Sequence, residues 1–222
     1  MHFDDNPQVW FMIEAQSIRQ HWEQIYQSKT PADVSWTQES PEPSLSWIRS
    51  LQINPKACIV DCGGGRSALA ECLVEAGHAC IEVFDISMRA MAQAKIELRS
   101  PEAREAIQYR VCDVLQYTQE RPIGLWHDRA VFHFLTEPSE VEGYVRNLQK
   151  MAPDYLLIGT FSPKGPEKCS GLPVRRYSPE SLAKLFHEDY ALIQSDEPIH
   201  HTPSGGVQAF SFVLMRHRNL SV

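Results

Sequence analysis

No excess of basic residues runs through this sequence: 21 Lys and Arg stand against 28 Asp and Glu, a formal net charge of -7. A dedicated nucleic-acid binder would carry a basic stripe, so that class is set aside. No C-x-x-C pair occurs among Cys58, Cys62, Cys72, Cys80, Cys112 and Cys169, and the histidines do not fall into zinc-ligand spacing with them. Reduced, packed thiols and no metal are the expectation. No apolar run approaches the roughly 18 residues that would span a bilayer. The opening residues, MHFDDNPQVWF, lack a basic stretch followed by an apolar one, so no secretory signal and a cytoplasmic location are expected. Internal repeats and low-complexity tracts are absent as well.

What is present is the composition of a globular domain. With 43% of its 222 residues hydrophobic, the chain can bury a full core, and its length suits one α/β domain with an appended terminal segment. From Gln8 to Gln27, the apolar residues Trp10, Phe11, Ile18, Trp22, Ile25 and Tyr26 recur at near-helical spacing. A loop rich in Ser, Thr and Pro follows, Ser28 to Pro43, holding a lone Trp36. Residues 1–43 therefore read as a helical cap with its loop, and residues 44–222 as the main domain. Ser44 is placed to cap a helix through Leu45, Trp47, Ile48 and Leu51.

Beyond it, strand-like runs alternate with amphipathic helices: Ala57–Val60 strand, Ser67–Ala76 helix, Cys80–Phe84 strand, Met88–Leu98 helix, Ile107–Val111 strand. Ile123–Trp126, Val141–Met151 and Tyr155–Phe161 continue the alternation as strand, helix, strand. That pattern predicts a mostly parallel sheet with helices on both faces. The tail differs. Ser178–Phe186 reads as a helix, but Tyr190–Ser195 and Gln208–Met215 are strands joined only by a loop, so they are expected to pair antiparallel. A seven-stranded, Rossmann-like α/β sheet with a terminal antiparallel pair is the element order of a class I methyltransferase; a dehydrogenase would usually carry another βα unit there.

Asp61-Cys62-Gly63-Gly64-Gly65 directly follows the first strand and precedes a helix. Glycine there, at Gly63 and Gly65 in particular, lets the backbone turn sharply and approach a ligand closely. Asp85 closes the second strand, 20 residues after Gly65, where a carboxylate can accept both hydroxyls of a ribose. Asp113 closes the third strand, the position that in a methyltransferase reaches the adenine amino group. Ile86 and Val114 stand beside these two acids. N-capping of the following helices is the plainer role for the acids. The third glycine of the dinucleotide fingerprint is missing, Ala68 occupying its place. S-adenosylmethionine (SAM) has no phosphate, and Asp61 can complement its ammonium. SAM is the expected cofactor, with S-adenosylhomocysteine (SAH) as product. Tyr26 and Trp36 are the aromatic candidates to close over its sulfonium, while Trp22 reads as helix core.

Longer motifs sharpen this. HWEQIYQSKTPADVSW, IVDCGGGRSAL, WHDRAVFHFLT, GTFSPKGPEKCSGLPVRRYS and HHTPSGGVQAF together resemble a bacterial family of class I SAM-dependent methyltransferases over nearly the whole chain. A looser likeness to protein lysine methyltransferases covers the N-terminal and cofactor segments. The resemblance implies methyl transfer and leaves the acceptor open.

Methyl transfer from a sulfonium is an in-line displacement, so the enzyme must align nucleophile, methyl carbon and sulfur and exclude water. Candidates should follow the fourth and fifth strands. His127, Asp128 and His133 are the expected catalytic group, a histidine being a general base near neutral pH; an Asp128–Arg129 ion pair and a packed His133 are the structural alternative. Arg129, Lys168, Arg175 and His200 are candidates for holding the acceptor. Ser162–Tyr177 reads as a lid whose basic residues either suit an anionic acceptor or form a solvated charge run. Cys169 within it is a nucleophile or metalloid ligand or, more simply, a packing residue. A small molecule is the expected acceptor and a protein side chain such as lysine the alternative. A non-catalytic SAM- or nucleotide-binding module is the second alternative. The N/D-P-P-Y/F tetrapeptide of amide and many adenine methyltransferases is absent after the fourth strand. A monomer or weak dimer is expected.

Overall fold

The computed structural model describes residues 7–38, 40–51 and 53–220. In chain order its elements are α1 (Pro7–Ser28), α2 (Ser44–Ser50), β1 (Cys58–Cys62), α3 (Leu69–Glu75), β2 (Ile81–Asp85), α4 (Met88–Glu97), α5 (Pro101–Ala106) and β3 (Ile107–Val111). There follow β4 (Ile123–Arg129), α6 (Pro138–Met151), β5 (Tyr155–Phe161), β6 (Lys168–Cys169), β7 (Leu172–Pro173), α7 (Pro179–Lys184), β8 (Tyr190–Asp196), β9 (Ile199–His201) and β10 (Val207–His217).

β1 and β2 are buried at every position, the mark of parallel strands covered on both faces. The main sheet runs β3-β2-β1-β4-β5-β10-β8, with β9 paired to β10 beside that path. β1 through β5 pair in parallel, and β10 enters antiparallel between β5 and β8. The expected sheet and its terminal antiparallel pair are therefore present. Short elements escaped the sequence pattern: α5, capped by Ser100, whose hydroxyl accepts from the Ala103 amide at 3.0 Å, and the β6–β7 and β9 ladders.

Alternation along the strands divides the core in two. Ile59, Leu125, Leu157 and Leu214 face α2, α3 and α4, whose Trp47, Leu73 and Met91 complete that layer. Val60, Trp126, Ile158 and Val213 face α6 and α7 with Tyr144, Leu148 and Leu182. α1 docks on α4 through a polar clasp. Its Glu23 carboxylate accepts from the Met88 amide at 2.6 Å, supplementing the Ser87 cap of the same helix start. The side chains of Trp10 and Phe11 lie outside the described residues.

The main departure from expectation is the length of β4. The apolar run ends at Trp126, yet the strand continues through His127 and Asp128 to Arg129, because both polar side chains find buried partners.

Candidate active site

Two adjoining cavities, of about 320 and 120 Å3, lie beyond the carboxyl ends of the parallel strands, where open α/β sheets bind ligands. They share Tyr26, Trp36, Gly63 and Arg129. Of the glycine turn, Gly63 lies where they meet, Gly64 lines the smaller one and Gly65 lines neither. Gly63 and Gly65 have φ of +59° and +51°, a region that disfavours side chains. A Cβ on Gly63 would also collide with Val131, and one on Gly65 with the Tyr26 hydroxyl.

In the smaller cavity Asp61 is held rather than loose. Oδ1 of Asp61 lies 2.6 Å from Nδ1 of His127, whose Nε2 lies 2.8 Å from the hydroxyl of Ser44 at the start of α2. An ionised carboxylate only accepts, so the ring donates through Nδ1, and a neutral ring then accepts the Ser44 proton at Nε2. All three residues are buried. Oδ2 of Asp61 is buried too and has no protein partner. A buried, unpaired carboxylate oxygen is costly, and it suits a cationic ligand group.

The larger cavity begins at Asp85, Ile86, Asp113 and Val114. Asp85 Oδ1 accepts from the Ser87 amide at 2.8 Å and Asp113 Oδ1 from the Leu115 amide at 2.8 Å. Burial pushes the Asp85 carboxyl up to about 7. Ile18, Trp22 and Tyr26 of α1 also line this cavity, with Trp36 from the following loop. Trp22 packs against the core as expected and also lines the cavity, its ring centroid 5.8 Å from that of Trp36 and 5.2 Å from that of Phe134.

At the other end stand Arg129, Phe134, Phe161 and Phe210, with Cys169, Leu172 and Pro173 of the β6–β7 hairpin. The expected lid is thus a small hairpin over the cavity. Its basic residues do not line it. Lys168 and Arg175 are exposed, and Arg175 lies 5.3 Å over the Tyr177 ring.

The extension of β4 redistributes the residues expected to do chemistry. Successive side chains of a strand point to opposite faces, so His127 turns toward Asp61 and α2 while Asp128 turns toward α6. Asp128 is fully buried, accepts from the Val131 and Phe132 amides at 3.0 and 3.2 Å, and accepts from the Tyr144 hydroxyl at 2.8 Å. It pins the turn after β4 and makes no pair with Arg129. His133 is fully buried, stacked 4.4 Å from Phe161, and burial pulls its imidazole down to about 3. Neither Asp128 nor His133 lines either cavity. His200 is a brace as well, its Nε2 lying 2.6 Å from the Ser35 carbonyl.

Arg129 stays at the cavity. Its Nη1 donates to the Trp36 carbonyl at 3.0 Å, its guanidinium lies 5.3 Å over the Phe210 ring, and its buried Nη2 has no partner. Sequence reasoning missed Ser44, which looked like a helix cap alone, and the cavity walls Phe134, Phe161, Gln208 and Phe210. The motifs WHDRAVFHFLT and HHTPSGGVQAF held three of those four.

No protein-family model matches the sequence, and no curated protein matches it significantly. Solved structures do. A SAM-dependent methyltransferase from Anabaena variabilis ATCC 29413 superposes with a TM-score of 0.72 at 16% identity, covering 92% of this chain and 95% of its own. The chain has the class I methyltransferase fold. Burkholderia thailandensis 1,6-didemethyltoxoflavin-N1-methyltransferase, solved with 1,6-didemethyltoxoflavin and SAH, gives a TM-score of 0.64 at 14% identity over 98% of this chain and 92% of its own. N-methyltransferase NodS from Bradyrhizobium japonicum WM9, solved with SAH, gives 0.62 at 14% identity over 89% and 98%. In a class I methyltransferase fold, the cavity over β1 to β5 occupies the ligand-binding edge of the sheet.

Proposed function

We propose that this chain is a SAM-dependent methyltransferase acting on a small molecule, within the bacterial family its WHDRAVFHFLT and GPEKCSGLPVRRYS segments resemble. The observation that carries the reading is the buried, unpaired Oδ2 of Asp61, in a cavity that continues past Gly63 to Asp85 and Asp113. Asp61 would hold the ammonium of SAM, Asp85 its ribose, and Asp113 with Ile86 and Val114 its adenine. SAM supplies an electrophilic methyl group on a sulfonium. The aromatic faces of Tyr26, Trp22 and Trp36 favour that cation, and the β6–β7 hairpin with α1 excludes water from the transfer.

His127 and Ser44 act here as positioning residues. Ser44 holds the His127 ring, and the ring occupies Oδ1, which fixes the Asp61 carboxylate at the wall of the smaller cavity with Oδ2 unpaired. The roof over the acceptor end, made by Trp36, Leu172 and Pro173, supports a small acceptor over a protein side chain. Transfer of labelled methyl from SAM into a cell extract tests this, with protein and small-molecule fractions read separately. Label in the small-molecule fraction is expected. Label in protein alone would favour the lysine-type alternative, and label in neither would favour a binding module.

A further inference from the structure

Resting on the methyltransferase reading, we infer that the acceptor is a small aromatic or apolar thiol that enters as its thiolate and is held by the unpartnered Nη2 of Arg129. Four observations converge on this. First, Arg129 ends β4 at the junction of the two cavities, and its Nη2 is buried without a partner. Nη1 is held by the Trp36 carbonyl and Asp61 is the nearby charge that favours the cation, but a buried Nη2 without a hydrogen-bond partner is costly and suits an anion. Second, burial lowers the guanidinium only to about 10, so it remains a cation at neutral pH.

Third, no described histidine lines the larger cavity. His127 is committed to Asp61 and Ser44, and His133 is packed behind Phe161. Its carboxylates are engaged or at the rim: Asp85 and Asp113 cap backbone amides at the far strands, Glu140 accepts from the Glu137 amide at 3.0 Å, and Glu137 is exposed. No side chain at the transfer end is placed as a general base, which favours an acceptor that ionises before it binds. Fourth, the walls around Arg129 are Trp36, Phe161, Phe210, Leu172 and Pro173, with the Cys169 thiol, which suit a soft, apolar nucleophile.

Charge and acidity then choose among nucleophiles. An ammonium is repelled by Arg129, and a neutral amine gains nothing from it. A carboxylate is anionic but weakly nucleophilic. A phenol ionises near about 10 and a thiol near about 8.5, so a thiol needs the least help from the guanidinium. The thiol proton goes to water. The thiolate sulfur attacks the methyl carbon, the carbon–sulfonium bond breaks with its pair staying on the departing sulfur, and a methyl thioether and SAH result. The cation and anion neutralise each other in this step, which an apolar cavity favours.

Calorimetry with SAH first reads the methyltransferase proposal by itself. The SAH complex is then titrated with thiophenol, phenol, aniline and benzoate, which share a ring and differ in the nucleophile, and methyl transfer to each is followed from labelled SAM. Thiophenol is expected to bind and be methylated in preference to the other three. Arg129→Met should weaken thiophenol binding by about tenfold to a hundredfold, the loss of a charge-assisted hydrogen bond, and by more than it weakens SAH binding, with an unchanged far-UV circular dichroism spectrum showing that the variant is folded. Arg129→Lys should retain part of the affinity. A parallel loss of SAH affinity in both variants would mean that Arg129 holds the cofactor's own carboxylate, overturning the inference. So would preference for any of the other three probes, or no binding of thiophenol to the SAH complex. A wild-type protein that does not bind SAH overturns the methyltransferase reading, and this inference with it.

Discussion

At Asp85, the proposed ribose contact and the stability of the fold pull in opposite directions. Burial raises its carboxyl to about 7, above its value in an unfolded chain near about 4. The folded state therefore retains a proton that the unfolded chain releases, and the stability this brings is full below about pH 4 and lost as pH rises through 7. Asp85→Asn keeps an oxygen for the Ser87 amide and removes the buried charge. It should stabilise the ligand-free protein at pH 8 by up to about 4 kcal/mol and have little effect at pH 4, read by urea unfolding at both pH values. The same substitution should weaken SAH binding by about 1–3 kcal/mol. Unchanged affinity would remove Asp85 from the cofactor site. His127 makes a different prediction. His127→Leu frees Asp61 to rotate, so SAH should bind about tenfold or more weakly, while 5'-methylthioadenosine, which lacks the amino-acid end, should bind as before. His127→Asn, which keeps a donor toward Asp61, should recover part of the loss. An equal loss for both ligands would make His127 a packing residue only.

Among the elements, β4 and α1 decide what the site contains. The apolar periodicity of Ile123–Trp126 was legible, and its end looked like the end of a strand. The continuation was not, because His127 and Asp128 are polar and their partners, Asp61, Ser44 and Tyr144, are distant in sequence. Hydrophobic patterning sees burial through apolar residues and is blind to polar groups that satisfy one another. By contrast, Asp61, Asp85 and Asp113 could be located in the sequence because they lie at or just beyond the carboxyl ends of neighbouring strands. The same limit applied to α1, whose helical spacing was evident but whose docking on α4 depends on Glu23. Glu23→Ala removes the acceptor for the Met88 amide. It should cost about 0.5–2 kcal/mol and speed hydrogen exchange at the Met88 and Arg89 amides. Exchange unchanged at those two amides would mean the clasp does not hold the helix start.

On the scale of the whole molecule, the parallel sheet sets the cavity and the appended parts close it. β1 to β5 present the acids at one edge, while α1, the Trp36 loop and the β6–β7 hairpin supply the roof. The order of β10 between β5 and β8 matches the antiparallel tail expected from the sequence. No helix among the described residues is long and apolar enough to cross a membrane. If the cavity is a preformed cofactor site, SAH at a hundredfold over its Kd should add about 2.7 kcal/mol of stability and raise Tm by about 5–10 °C. The most direct test of the central claim is calorimetric titration of the purified protein with SAM, SAH and NAD. Saturable one-to-one binding of SAM and SAH with no heat from NAD is the expected result; tight binding of NAD with none of SAM or SAH would contradict it.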